Sequence, residues 1–186
     1  MPLQCANIKP DMPKSSESKR PFPDPAKPMP PAHPIAAKLV NVHHFTAPAH
    51  HVMSRRKREP AELIVVLGGV YKARYDADRR QESVTALIGD VVYWPAMTER
   101  LEENEPQRPT RCICIYFRWP APPWDLPHAV HDRDHLIDLL AHRLLAVKTD
   151  PAHPDLVTPV SQAYLNAILA EYLHQAYLSV DSLVSK

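Results

Sequence analysis

From residue 62 to 119 the chain runs in short apolar stretches separated by turn-forming clusters, and beyond 120 the apolar spacing lengthens to that of helices. Residues 63–67 are a continuous apolar run with β-branched members, closed by Gly68 and Gly69, which predicts a buried strand and a tight turn. Residues 70–75 predict the return strand of a hairpin, with Tyr71, Ala73 and Tyr75 on one face. After a polar turn at 76–80, strands follow at 84–87 and 91–94, with a turn at 88–90 between them. Residues 95–98 form a bend, and 100–103 pair briefly. Residues 111–119 make the longest strand, with Ile113, Ile115, Phe117 and Trp119 on one face and Cys112, Cys114, Tyr116 and Arg118 on the other. Residues 38–45 predict a first short strand. Short strands at turn-punctuated spacing point to a sandwich or barrel.

The prolines of 120–123 end the sheet. Asp132 or Asp134 starts a helix, Leu136, Ile137, Leu140, Leu144 and Leu145 give its apolar face, and Lys148 suits its end. Residues 150–155 read as a loop, and Thr158-Pro159 as an N-cap followed by a first-turn proline. The second helix runs to about 178. Its apolar arc is broader than the roughly 100° stripe that one neighbour requires. Tyr164, Ile168 and Tyr172 form one ridge, and Leu165, Leu169 and Leu173 the next. One ridge rests on the first helix and the barrel. The other predicts a homodimer seam, with Leu165, Leu169, Tyr172 and Leu173 as dimerisation residues. The competing arrangement is a monomer in which both ridges cover the barrel.

The ends and the charge add less. Residues 1–34 are rich in Pro, Lys, Ser and Asp and read as a mobile leader. A balance of 22 Lys+Arg against 21 Asp+Glu gives no global drive toward nucleic acid or membrane. No apolar run spans a bilayer and no secretory signal is visible, so a cytoplasmic protein with three reduced cysteines is expected. Residues 55–58 are a basic edge. His43, His44, His50 and His51 invite a metal, but adjacent histidines on a strand point to opposite faces.

The spacings within the β region resemble the cupin family. The second cupin motif has a glycine, five residues, Pro-x-Gly, two residues, a metal histidine, three residues and an asparagine. Here Gly89, Pro95 and Asn104 fall in register, Met97 stands at the second glycine and Arg100 at the histidine. The first motif's glutamate and glycine match Glu62 and Gly69, and its two histidines fall on Arg56 and Arg58. Arginine is always charged and has no lone pair to give a metal. The resemblance therefore implies a cupin-like jelly-roll barrel, mainly β with C-terminal helices, without metal or other cofactor. The same arginines make a bidentate socket for a carboxylate, or pair with Glu62, Glu99 or Glu102 at the rim.

The order of parts is similar to the N-terminal sensor half of AraC-type transcription regulators, from about Ala36 to Leu178. That implies a leader (1–34), an effector-binding barrel (35–120) and a helical dimerisation region (121–186), with no helix-turn-helix domain in this chain. Ligand-binding residues would be Arg56, Arg58, Glu62, Tyr93 and Arg100. The effector would be a small organic anion or polyol, the assembly a homodimer, and DNA would be reached only through a domain absent from these residues. No catalytic residue is assigned. The alternative is a small cupin enzyme acting on a sugar or small organic acid, with His43, His44, Glu62 or Tyr93 as its general base.

Overall fold

The computed structural model describes residues 35–48, 52–77, 80–105, 107–123, 126–149 and 154–184, without the side chains of 53–57, 154–156 and 180–184. The Pro-rich leader, His50 and His51 lie outside the described residues. Nine strands are described: β1 (Lys38–Thr46), β2 (Val52–Lys57), β3 (Ala61–Gly68), β4 (Tyr71–Ala77), β5 (Arg80–Ala86), β6 (Asp90–Trp94), β7 (Glu99–Asn104), β8 (Arg111–Arg118) and β9 (Ala129–His131). Two helices follow, α1 (Leu136–Thr149) and α2 (Pro154–Val184).

The strands form two antiparallel sheets. One has the order β1-β8-β3-β6-β9 and the other β2-β7-β4-β5. Up to β8, consecutive strands alternate between the sheets except at β4–β5, which is the connectivity of an eight-stranded jelly roll. The fold class is thus mainly antiparallel β with C-terminal helices.

The burial patterns explain which sheet is covered. β4 alternates buried and accessible positions, as a sheet with one wet face does. β3 and β8 are buried almost throughout, because the first sheet is covered on both sides. Its inner face contributes Ile64, Val92, Trp94, Cys112 and Cys114 to a core shared with Tyr71, Ala73, Tyr75, Val84 and Ala86 of the second sheet. Its outer face, through Leu63, Val65, Tyr93, Ile113, Ile115 and Phe117, packs on Ile137, Leu144, Leu165, Ile168, Leu169 and Tyr172 of the helices. The structure has three layers: helices, sheet, sheet.

Four expectations change. Gly68 and Gly69 do not close a hairpin, since β3 pairs with β6 and β8 while β4 pairs with β5 and β7. They carry the chain from one sheet to the other. Gly69 has φ +72°, and a Cβ there would come within 2.3 Å of the Pro109 carbonyl oxygen. The second helix starts at Pro154, a turn before Thr158, with Pro159 inside it. Proline at a first helical position is favourable, which makes Pro154 the better start. The three-residue β9 has no periodicity to reveal it and adds to the edge of the first sheet through β6.

The fourth change is at the seam. Leu165, Leu169 and Tyr172 are fully buried within the single chain, and Leu173 is half-buried. The broad apolar arc exists because α2 lies between two surfaces, α1 and the outer face of the first sheet. The side chains of Leu165, Leu169 and Tyr172 are not available to a second copy. Tyr172 is further fixed where its hydroxyl donates to the Pro127 carbonyl.

Candidate functional site

Strand alternation aims Cys112, Cys114 and Tyr116 of β8, with Glu62 and Ile64 of β3, between the sheets. They meet Tyr71 of β4 and Glu102 of β7 around an interior cavity of about 320 Å³. His43, Phe45 and Ala47 on the β1 side, Arg58, and Glu103, Asn104 and Thr110 complete the wall. This volume is at the small end for ligand pockets, which begin near 300 Å³.

The polar floor is a chain of hydrogen bonds. The Trp94 indole N–H donates to the Tyr71 hydroxyl at 2.9 Å, and that hydroxyl donates to Glu102 Oε1 at 3.0 Å. Arg100 Nε donates to the same carboxylate oxygen at 2.6 Å, and its Nη2 donates to Glu62 Oε2. Arg100 also lies over the Trp94 ring, 4.9 Å from its centroid. Burial alone would lower the pKa of Arg100, but Glu62, Tyr71 and Glu102 hold it above its ordinary value. At the upper wall Arg58 donates to the Tyr116 hydroxyl and lies 3.9 Å from Glu62 Oε1. Burial opposes its charge too, and Glu62 with Tyr116 outweighs that cost. Burial, helped by Glu62, pushes the Tyr116 phenol well up.

The five sequence-derived site residues divide. Arg58 and Glu62 line the cavity. Arg100 does not; it lies behind the wall and holds Glu62 and Glu102 in place. Arg56 is paired in register with Arg100 across β2 and β7, and its side chain lies outside the described residues. Tyr93 is on the wrong face. The register Glu62↔Trp94 and Leu63↔Tyr93 gives Glu62's side to Trp94, and Tyr93 packs instead on Phe117, Trp119 and Tyr172. Tyr71, Glu102 and Tyr116 were missed as site residues. The alternation of β8 did place Tyr116 with Cys112 and Cys114, but no motif marked that face.

The anion socket needs correcting as well. Two guanidiniums, Arg58 and Arg100, face two carboxylates, Glu62 and Glu102, so this group carries no surplus positive charge. Glu103 of the wall is paired with Arg74. The cupin resemblance carries a metal in its usual form, and these residues do not fit one. Arginine occupies the motif positions of the histidines, and Glu62 is engaged by Arg100. Among the described residues no group of three His, Cys, Asp or Glu is arranged to hold a metal ion.

No family model matches the chain, and no curated protein matches it. Solved structures do. Vicilin from Corylus avellana (hazelnut) is 20% identical over 44% of this chain and 23% of its own, with a TM-score of 0.38. The protein YhaK from Escherichia coli is 16% identical over 50% of this chain and 41% of its own, at 0.42. The Drosophila melanogaster CENP-C cupin domain is 13% identical over 40% of this chain and 55% of its own, at 0.38. The chain spans less than two thirds of each. Its jelly roll stands on its own strand order, independently of these likenesses.

Among the described residues no helix is long and apolar enough to cross a membrane.

Proposed function

We propose that this chain is a small-molecule-binding domain whose interior cavity takes a neutral, hydroxyl-rich ligand, a small polyol or monosaccharide. The observation that carries the reading is the internal neutralisation of the floor. Glu62 and Glu102 are acceptors already balanced by Arg100 and Arg58. Added anion would meet carboxylates, and added hydroxyls would meet acceptors. Asn104 and Thr110, hydrogen-bonded to each other, continue the polar wall, while Phe45 and Ile64 offer apolar wall for the C–H face of a sugar.

On the same proposal the domain senses its ligand and does not transform it. Its role as the input of an AraC-type regulator in the cytoplasm is supported by the order of basic segment, strands and paired helices. A homodimer belongs to that reading, with its seam on a face other than the buried Leu165–Leu169–Tyr172 surface.

Thermal shift across a panel of monosaccharides, acyclic polyols and small carboxylates tests the reading. A ligand present at about 100 times its Kd stabilises by about 2.7 kcal/mol. At least one polyol should raise the melting temperature in proportion to the logarithm of its concentration, and Glu102→Gln should weaken that response. Stabilisation by carboxylates alone would overturn it. Recovery of chemically altered ligand would favour the enzyme alternative.

A further inference from the structure

The cavity wall holds two thiols that a polyol does not use. Cys112 and Cys114 occupy one face of β8, are buried, and both line the cavity. Their sulfur atoms are 3.7 Å apart. A disulfide requires about 2.05 Å, and residues two apart on a strand are poorly directed for one. A single atom bonded to both sulfurs fits better. With bonds of about 2.3 Å at a tetrahedral angle, as zinc makes to thiolate, two sulfurs lie about 3.8 Å apart, and the narrower angle at a pyramidal trivalent atom draws them a few tenths of an ångström closer, a small movement from the separation observed.

The surroundings restrict which atom. No third ligand group joins the pair among the described residues. His43 is opposite Cys114 in the β1–β8 register, but its ring is stacked on Tyr116. Glu62 and Glu102 line the same cavity with Arg58, and the arginines are already balanced by those carboxylates, so no cation is left over for a complex that adds negative charge. The fitting ligand therefore needs two sulfurs and leaves a neutral adduct. A monosubstituted trivalent arsenical, R–As=O, meets both conditions. Two S–H groups condense with it to give two As–S bonds. The oxygen leaves as one water carrying both thiol protons, and arsenic remains trivalent. The hydrogen bond to Cys112, with burial, pushes the Cys114 thiol up, and this condensation consumes thiols as thiols. Phe45, Ile64 and Tyr116 offer apolar surface to the substituent.

We propose that Cys112 and Cys114 form a dithiol receptor, inside the jelly roll, for a monosubstituted trivalent arsenical. The third cysteine of the chain, Cys5, is removed for the test by Cys5→Ser in the full-length protein. The native protein is titrated with phenylarsine oxide and followed by intact mass and free-thiol content. The expected result is one arsenical per chain, with loss of one water and of both thiols. Cys112→Ser and Cys114→Ser should each weaken binding by about a hundredfold or more, since the second bond is then no longer intramolecular. Equal affinity in either serine variant overturns the proposal. So does an adduct that forms only after unfolding in urea, a result read on the parent alone and independent of how the variants fold. Polyol binding is not part of this readout, so its failure leaves the result standing.

Discussion

Arg100 and Glu62 join the two sheets through a buried ion pair: the guanidinium of β7 donates to the carboxylate of β3, with the side chains 5% and 3% exposed. A buried pair is costly to form, and removing one partner costs more because the other charge stays behind. Arg100→Met strands Glu62 and Glu102 together. It should destabilise the protein by about 3–5 kcal/mol in urea unfolding. Arg100→Lys keeps the charge, loses the fork that reaches both carboxylates, and should fall between. A cost for Arg100→Met within about 0.5 kcal/mol, the range of ordinary surface changes, would show that Arg100 does not tie the two sheets together.

Leu169→Ala should act on the fold and not on assembly. Leu169 is fully buried among α1, α2 and the first sheet, so truncation leaves a cavity. Such changes cost about 2–5 kcal/mol. Denaturant unfolding should show that loss at every protein concentration. A loss that vanishes as concentration rises would instead return Leu169 to a subunit seam.

These two residues show how far the sequence reaches. Alternation within a strand is local, so the faces of β8 and the buried run of β3 could be read directly. The motif register brought Glu62 and Arg100 to the same site although 38 positions separate them. Tyr93 failed because a motif says which residues recur, not which face each takes. The β3–β6 register decides that, and it selects Trp94. Gly68–Gly69 failed for a related reason, since a tight glycine turn serves a hairpin and a sheet crossing equally well. Glu102 was legible only as one of three carboxylates that could pair with the motif arginines; its place in the site comes from Tyr71 and Arg100 converging on one oxygen. The breadth of the α2 arc was visible, but whether its second ridge met a partner or the chain's own sheet depended on the third layer.

Alkaline pH should unfold the protein through its buried tyrosines. Burial pushes Tyr93 up to about 12 from an ordinary 10.0. Burial is also the leading cause of the upward shifts of Tyr172, Tyr116 and Tyr71. The unfolded chain releases these protons first, so the folded state binds more of them above pH 10. Their contribution is complete below about pH 10 and is lost as pH rises through the folded values. For Tyr93 that window is 10.0 to about 12. Tyr93→Phe should flatten the fall of the melting temperature in that window. An equally steep fall in the variant would show that Tyr93 does not contribute to it.

Met97 stands where the cupin motif has its second glycine, and its φ is +65°, the left-handed region that glycine favours. The turn is nevertheless held firmly. The Met97 N–H donates to the Arg58 carbonyl at 2.7 Å, which ties the bend to the segment carrying a cavity residue. A side chain in this conformation costs about 1–2 kcal/mol. Glycine relieves that strain and loses about 0.5–1 kcal/mol to greater freedom in the unfolded chain. Met97 is 58% exposed, so little packing is lost with its side chain. The first effect is larger, and Met97→Gly should stabilise the protein by about 0.5–1 kcal/mol, the difference of those two costs. Met97→Ala keeps a Cβ and the strain, and should not stabilise. Equilibrium unfolding of the two variants decides it. If alanine stabilises as much as glycine, the gain comes from removing an exposed apolar side chain and the backbone argument fails.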